Sequence, residues 1–325
     1  MDSLPDRVQA VTERFLTWYK GKRIARMERR SRIPAVLDWF YTFLWAILII
    51  LILNQYLFQF YVIPSGSMED TLLIHDRISV NKLIFGPELL PGMVKLPALA
   101  EPHHGDIITF KNPGYASRGP LFDIVQRFVF MLTLSMVNLD TDKNGRPAIH
   151  YLIKRVIATG GDRIRIDPTD GSMMMLPAGT GRWVSEAEFK RLAGLHYHTI
   201  RIFNRSDYAQ LLEATKADLL YNAGLPVSTK ELKAADTMPS FYDYKVYEED
   251  RAMLSYELYP QSREIAEQWS QFENGWYVAP GYVFPMGDNR DDSRDGRYFG
   301  PVPLRIVLGQ ATYRFWPPAR IGPLK

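Results

Sequence analysis

The feature that most constrains this chain is a run of 25 residues without a charge, 39–63, which is almost wholly apolar between residues 43 and 53. A hydrocarbon core of roughly 30 Å is crossed by about 20 such residues in a helix. The run therefore predicts a single transmembrane anchor over 36–62. A secretory signal is the competing reading, but it has a shorter apolar core and a cleavage site of small residues. Asn54, Gln55 and Gln59 stand where such a site belongs, so the segment reads as a retained anchor.

Charge gives the anchor a direction. Residues 1–34 carry nine Lys or Arg against four acids, whereas 64–88 carry only Arg77 and Lys82 against four. Cytoplasmic flanks hold the excess of basic residues. This predicts a basic cytoplasmic N-terminus over 1–35 and an extracytoplasmic domain after Ile63. Beside a span, such a stretch reads as a topology and lipid-headgroup signal rather than a nucleic-acid site. The lipid bilayer is thus an expected partner and nucleic acid is not. The chain has no cysteine, so the exported domain has neither disulfide nor thiol chemistry and relies on its core.

Short β-rich runs bounded by turn residues fall at 76–82, 106–110, 151–158 and 163–167, and resume at 275–278, 282–286 and 306–315. Between them, roughly 170–273 reads as helices, with capping boxes at Ser185…Glu188 and Ser228…Glu231 and a stop at Gly224. The predicted fold is mainly β. Its catalytic core comes in two parts, 63–169 and 274–325, interrupted by an inserted helix-containing subdomain at 170–273.

Three constellations carry candidate chemistry. Ser67 sits in PSGSMEDTL; alone, a loop Ser after a proline is ordinarily a turn or cap residue, and the glycine spacing is not that of a GxSxG elbow. Among six histidines, including the pairs His103/His104 and His196/His198, none has a local setting that marks it as a base. Lys154 lies in YLIKRVIA, where alternation places Leu152, Lys154, Val156 and Ala158 on one face and Tyr151, Ile153, Arg155 and Ile157 on the other. A strand lysine ordinarily snorkels to water. Held instead in a dry pocket, its pKa falls by up to about 3–5 units, against a free amine that is neutral in only about 1 molecule in 2,500 at pH 7. The third stretch, MGDNRDDSRDGRYFGPV, is rich in Asp, Asn and Arg but has Arg290 and Ser293 where an EF-hand loop needs a ligand and glycine. The run Asp140-x-Asp142-x-Asn144-Gly145 ends on Tyr151 rather than Glu and reads as a turn. Neither metal nor cofactor is expected.

In this order and behind an anchor, the motifs resemble those of bacterial type I signal peptidases: PSGSMEDTL, HGDIITF at 104–110, YLIKRVIATGGDRI at 151–164 and GDNRDDSRDGRYFG at 287–300. The resemblance covers about 60–110, 151–167 and 275–315. It leaves out 1–35 and 170–273, and the latter looks more helical than the β-rich insert of the family. It implies that Ser67 is the nucleophile and Lys154 its general base. Ser65 matches the side-chain donor of the oxyanion hole, working beside the Ser67 backbone N–H, and Ser293 the hydroxyl that orients the lysine. Asp295 and Arg297 match a supporting ion pair. Ile63, Met68, Leu72 and Ile153 match positions lining shallow pockets for small residues at −1 and −3. Asp70 stands where the family usually has proline, and Ala158-Thr159-Gly160 replaces Gly-Leu-Pro.

The implied enzyme is a serine endopeptidase of the bacterial inner membrane that removes signal peptides from secreted preproteins, downstream of the export translocon. The alternatives are an anchored Ser-Lys peptidase with a dedicated regulatory substrate and a non-enzymatic anchored scaffold. A Ser-Lys dyad adds one constraint on the apolar stretch 121–139: a single crossing there leaves Ser67 and Lys154 on opposite sides of the bilayer. Asp123 and Arg127 also oppose insertion, at about 2.5–3.5 kcal/mol each near a helix centre. The stretch is expected to rest on the outer leaflet, with Phe128, Phe130, Met131 and Leu134 in the lipid interface.

Overall fold

The charge-free run divides into two elements. In the computed structural model, which describes residues 12–14, 16–23, 35–89, 94–115, 118–133, 136–141, 148–239 and 243–324, helix α1 spans Ala35–Tyr56. Its portion Leu37–Tyr56 is long and apolar enough to cross a membrane. Strand β1, Phe58–Val62, follows at once. The anchor expected over 36–62 is thus corrected: its last residues belong to a sheet. A count of uncharged residues is blind to period, and Phe-Gln-Phe-Tyr-Val is an aromatic, β-branched sequence whose alternate residues Gln59 and Tyr61 are buried. Lys82 closes the helix end, donating from Nζ to the Asn54 carbonyl at 2.8 Å and the Gln55 carbonyl at 3.4 Å, groups left without intrahelical partners.

The chain divides between Ile52 and Leu53 into two units, and the second holds everything that follows. Its strands are β2 (Arg77–Asn81), β3 (Ile107–Lys111), β4 (Tyr151–Thr159), β5 (Arg163–Ile166), β6 (Met173–Leu176), β7 (Val184–Ser185), β8 (Trp276–Tyr277), β9 (Tyr282–Met286), β10 (Val302–Pro303), β11 (Val307–Trp316) and β12 (Gly322–Pro323). Those foreseen from patterning agree to within about two residues. One antiparallel sheet runs β1-β2-β11-β3-β4-β9-β10, with β12 on β11. The late strand β11 therefore lies between the two early ones, β2 and β3.

Helix α2, Pro120–Leu132, packs beside this sheet, the ring of Phe130 lying 6.3 Å from Tyr61 and 6.4 Å from Tyr151. Phe130 therefore faces the protein. Its expected place in lipid is corrected: at this point β1 and β4 offer the helix an aromatic surface. Leu134, the Met131 side chain and 142–147 lie outside the described residues.

A second sheet, β7-β6-β5-β8, leads into helices α3 (Glu186–Ala193), α4 (Arg205–Asn222), α5 (Thr229–Asp236), α6 (Tyr244–Leu258) and α7 (Arg263–Asn274). The caps read from the sequence form. Ser185 accepts from the Glu188 N–H, Ser228 and Glu231 make a reciprocal capping box, and Gly224 adopts φ 69° just beyond α4. The boundary set at residue 170 runs through this sheet, between β5 and β6. The insert also shares one apolar core with the back of the main sheet, since Ile157, Phe284 and Met286 pack with Ile164, Met173, Phe189, Tyr208 and Val246.

Candidate active site

Ser67 sits in a single 3-10 turn, Gly66–Met68, between β1 and β2. Met68 and Leu72 are buried beneath it with Ile63, Ile78 and Val80. Lys154 lies on β4, and alternation sorts its neighbours: Leu152 and Val156 join one apolar cluster, Tyr151 and Ile153 pack against the other. The pattern breaks after Val156, where the register with β9 shifts. The Lys154 Nζ donates a hydrogen bond to the Ser67 Oγ. Burial, the largest influence, lowers that amine from 10.5 to about 8; Asp295, Asp288 and Asp292 pull it upward and Arg297 adds to the lowering.

Charged residues of 287–297 lie beneath the pair. Arg155 is wholly buried and forks onto Asp288, Nε to Oδ1 at 2.9 Å and Nη2 to Oδ2 at 2.7 Å. Thr71 donates to the same Asp288 Oδ2 at 2.6 Å. Asn289 donates its backbone N–H to the Ser67 carbonyl at 3.2 Å. Gly287 is required by close approach, because a Cβ there would stand 2.2 Å from the Ser293 Oγ and 2.4 Å from the Ser67 carbonyl oxygen. Asp295 is fully buried, accepts from the Gly287 N–H at 3.0 Å, and pairs with Arg297 Nε at 3.0 Å and Nη2 at 3.1 Å. Burial pushes the Asp295 carboxyl up, but the Arg297 charge and these hydrogen bonds hold it below the usual carboxylate range. The Arg297 guanidinium also donates to the Arg290 carbonyl.

Arg290 carries the network into the insert. Its guanidinium meets the Glu186 carboxylate at 2.6 and 2.7 Å, and the Tyr197 hydroxyl donates to Glu186 at 2.8 Å. Ile200 exchanges backbone hydrogen bonds with Asp288 and Arg290, both at 2.9 Å.

A cavity of about 470 Å³ opens over the Ser67–Lys154 pair, lined also by Ile63, Ser65, Met68 and Ile153. A family model described as signal peptidase, peptidase S26, matches residues 36–175 and 214–316. The chain belongs to that family. It is 28% identical over 267 residues to a Haemophilus influenzae protein named signal peptidase I, covering 82% of this chain and 65% of that one. Pseudomonas aeruginosa and Aquifex aeolicus proteins of the same name are 23% and 27% identical, over 92% and 82% of this chain and 80% and 78% of their own. The family match reaches further into the insert than the motifs did, taking in 214–273.

Against the family pattern, most of the named residues converge on one site. Ser65 is exposed in extended conformation, its side chain free of any cap bond. Among the described residues the buried Ser293 hydroxyl has no hydrogen-bond partner, Lys154 included. Leu72 is a correction, since it is 0% exposed and packs below Ile63 and Met68, leaving no surface for a ligand. Asp70 has φ 81°, a value closed to proline, so this turn could not hold the proline that the resemblance places there. His75 and His150 line the cavity, yet among the described residues neither bonds Ser67. Patterning missed the far wall, where Gln126, Phe130, Asn138 and His150 face the pair. It also missed the Arg155 partner. An arginine in an apolar strand was the available signal, because a buried guanidinium demands a carboxylate.

Proposed function

We propose that this S26 peptidase removes signal peptides from exported preproteins by a Ser-Lys mechanism, cleaving after small residues at −3 and −1. The observation that carries the reading is the contact between Ser67 and a buried Lys154 on the floor of an open cavity. At a pKa of about 8, about one amine in ten is neutral at pH 7, and a neutral amine accepts the Ser67 proton. Ser67 Oγ then attacks the scissile carbonyl, and an ester forms as the amine leaves with the proton from Lys154. The Ser67 N–H and the Ser65 hydroxyl are the proposed donors to the oxyanion, a contribution of about 2.7–4 kcal/mol per donor. Water, deprotonated by the same lysine, releases the product. Ile63, Met68 and Ile153 form the shallow floor that favours small side chains.

The apolar helix Leu37–Tyr56 supports anchoring in the bacterial inner membrane, and the basic excess of 1–34 supports a cytoplasmic N-terminus with the sheet domain outside. Export-translocon substrates are the proposed preproteins. The test is cleavage of a preprotein by detergent-solubilised chain. Ser67→Ala and Lys154→Arg should each fall to background with melting unchanged, since a guanidinium stays protonated. Near-normal turnover by either variant overturns the mechanism.

A further inference from the structure

Glu69 follows the nucleophile closely in the chain but stands outside the cavity beside it. Pro64, Ser65, Ser67 and Met68 all line that cavity, and Glu69 does not. Its side chain folds back over the other flank of the turn, where a Cβ on the buried Gly66 would lie 2.7 Å from the Glu69 Oε1. Asn289 ties the acid to the nucleophile. Its Nδ2 donates to the Glu69 Oε2 at 3.4 Å, and its backbone N–H donates to the Ser67 carbonyl. Among the described residues Glu69 has no cationic partner. Asn289 is itself 5% exposed, and its Oδ1 has no donor among the described residues. A held carboxylate and an unused amide oxygen thus share one flank of the Ser67 turn. Asp70, the next residue, is exposed and adds to the negative sign.

We propose that Glu69 reads the +2 residue of the preprotein and favours Lys or Arg there. The proposal rests on the function proposed above and extends it to the amine side of the scissile bond. An extended peptide turns alternate side chains to the same face. Residues −3 and −1 point into the cavity, so +2, not +1, is the next to face the enzyme. It lies about 7 Å of strand past −1, on the side where the chain leaves the cavity. A basic side chain there brings N–H donors to a carboxylate and an amide oxygen, both of which only need to accept. An acidic one meets like charge. Glu69 is partly exposed, so the discrimination is modest, about fivefold between Lys and Glu.

The test uses peptides that span the cleavage site and differ only at +2, as Lys, Gln or Glu, with the full-length chain in detergent. At low salt, kcat/KM should be about fivefold higher for Lys than for Glu, with Gln between, and the ratio should shrink toward one at about 1 M salt. Glu69→Gln keeps the side-chain volume and an acceptor for Asn289, so a merely structural role would survive it, yet it should bring the ratio to one. Glu69→Lys should invert the preference. Each ratio is taken within one chain, so a general loss of turnover cancels. Equal rates for Lys and Glu in the unaltered chain, or a preference that persists in Glu69→Gln, overturns the proposal. Binding gives a readout without turnover. Ser67→Ala should hold the labelled Lys peptide about fivefold more tightly than the Glu peptide by fluorescence anisotropy, and equal Kd values also overturn the proposal. A chain that shows this binding preference while its unaltered form cleaves none of the peptides refutes the peptidase reading alone.

Discussion

In and beside the main sheet, buried Arg155 on β4 and Arg297 after β9 each meet a carboxylate at hydrogen-bond distance, whereas on α6 of the insert Glu249 and Asp250 are buried among further acids. Burial pushes Glu249 up to about 8, aided by Asp250 and opposed by Arg165, and pushes Asp250 up to about 7, aided by Asp243. Among the described residues the Asp250 Oδ2 has no hydrogen-bond partner. Paired charge in one region braces the loop under Ser67, where Arg297 holds the Asp295 carboxyl below the usual carboxylate range. Unpaired charge in the other makes the stability of the insert depend on protons. The Arg290–Glu186 pair joins the two, and it follows the rule of the sheet although its carboxylate comes from the insert.

The sharpest way to break this contrast is to unpair one charge on each side of the junction. Arg297→Met and Glu186→Gln each leave a buried ion without its partner and should cost about 3–5 kcal/mol, read by urea unfolding. Both should also lower kcat, because Arg297 and Arg290 support the loop that bonds the Ser67 carbonyl. If Glu186→Gln melts the insert in a separate transition and leaves kcat intact, the insert is an independent appendage and the comparison fails.

A pH profile sharpens the contrast at the site itself. With Lys154 at about 8, kcat should climb nearly tenfold from pH 6 to 7, by less from 7 to 8, and level off above about 9. An inflection near 10 would mean that the lysine is solvated during turnover.

The smallest effect is expected in the insert. A carboxyl whose folded pKa is raised contributes stability below its unfolded value near 4, and loses it as pH rises through about 7. Asp250→Asn should therefore raise Tm by about 2–4 °C at pH 8.5 and change little at pH 4. Equal Tm at pH 8.5 would mean that Asp250 is hydrated.

Where the chain alternates cleanly, its fold was legible. The run at 76–82 became β2, and Ser185 and Ser228 capped the helices they announced. Legibility failed where two elements share one composition. Phe58–Val62 continues the uncharged run that begins inside the helix before it, and only its pairing with β2 makes it a strand. The site was legible through Ser67 and Lys154 because their motifs are local. Of its supports, the Asp295–Arg297 pair was legible because it is local, whereas the others were not, because Asp288 lies 133 positions from Arg155 and Glu186 lies 104 from Arg290. Leu72 shows the opposite failure, since a motif position gives no warning of which side chains the surface covers.

The place of β11 has a consequence in time. Ser67 precedes β2, Lys154 lies on β4, and the sheet joins those two halves only through β11, at residues 307–316. In a growing chain the nucleophile thus appears before its base, but no sheet joins them until residues 307–316 have been made. A chain stopped at residue 300 keeps both reactive side chains and every residue of the loop beneath them, and it should show no cleavage until a peptide spanning 301–325 is supplied.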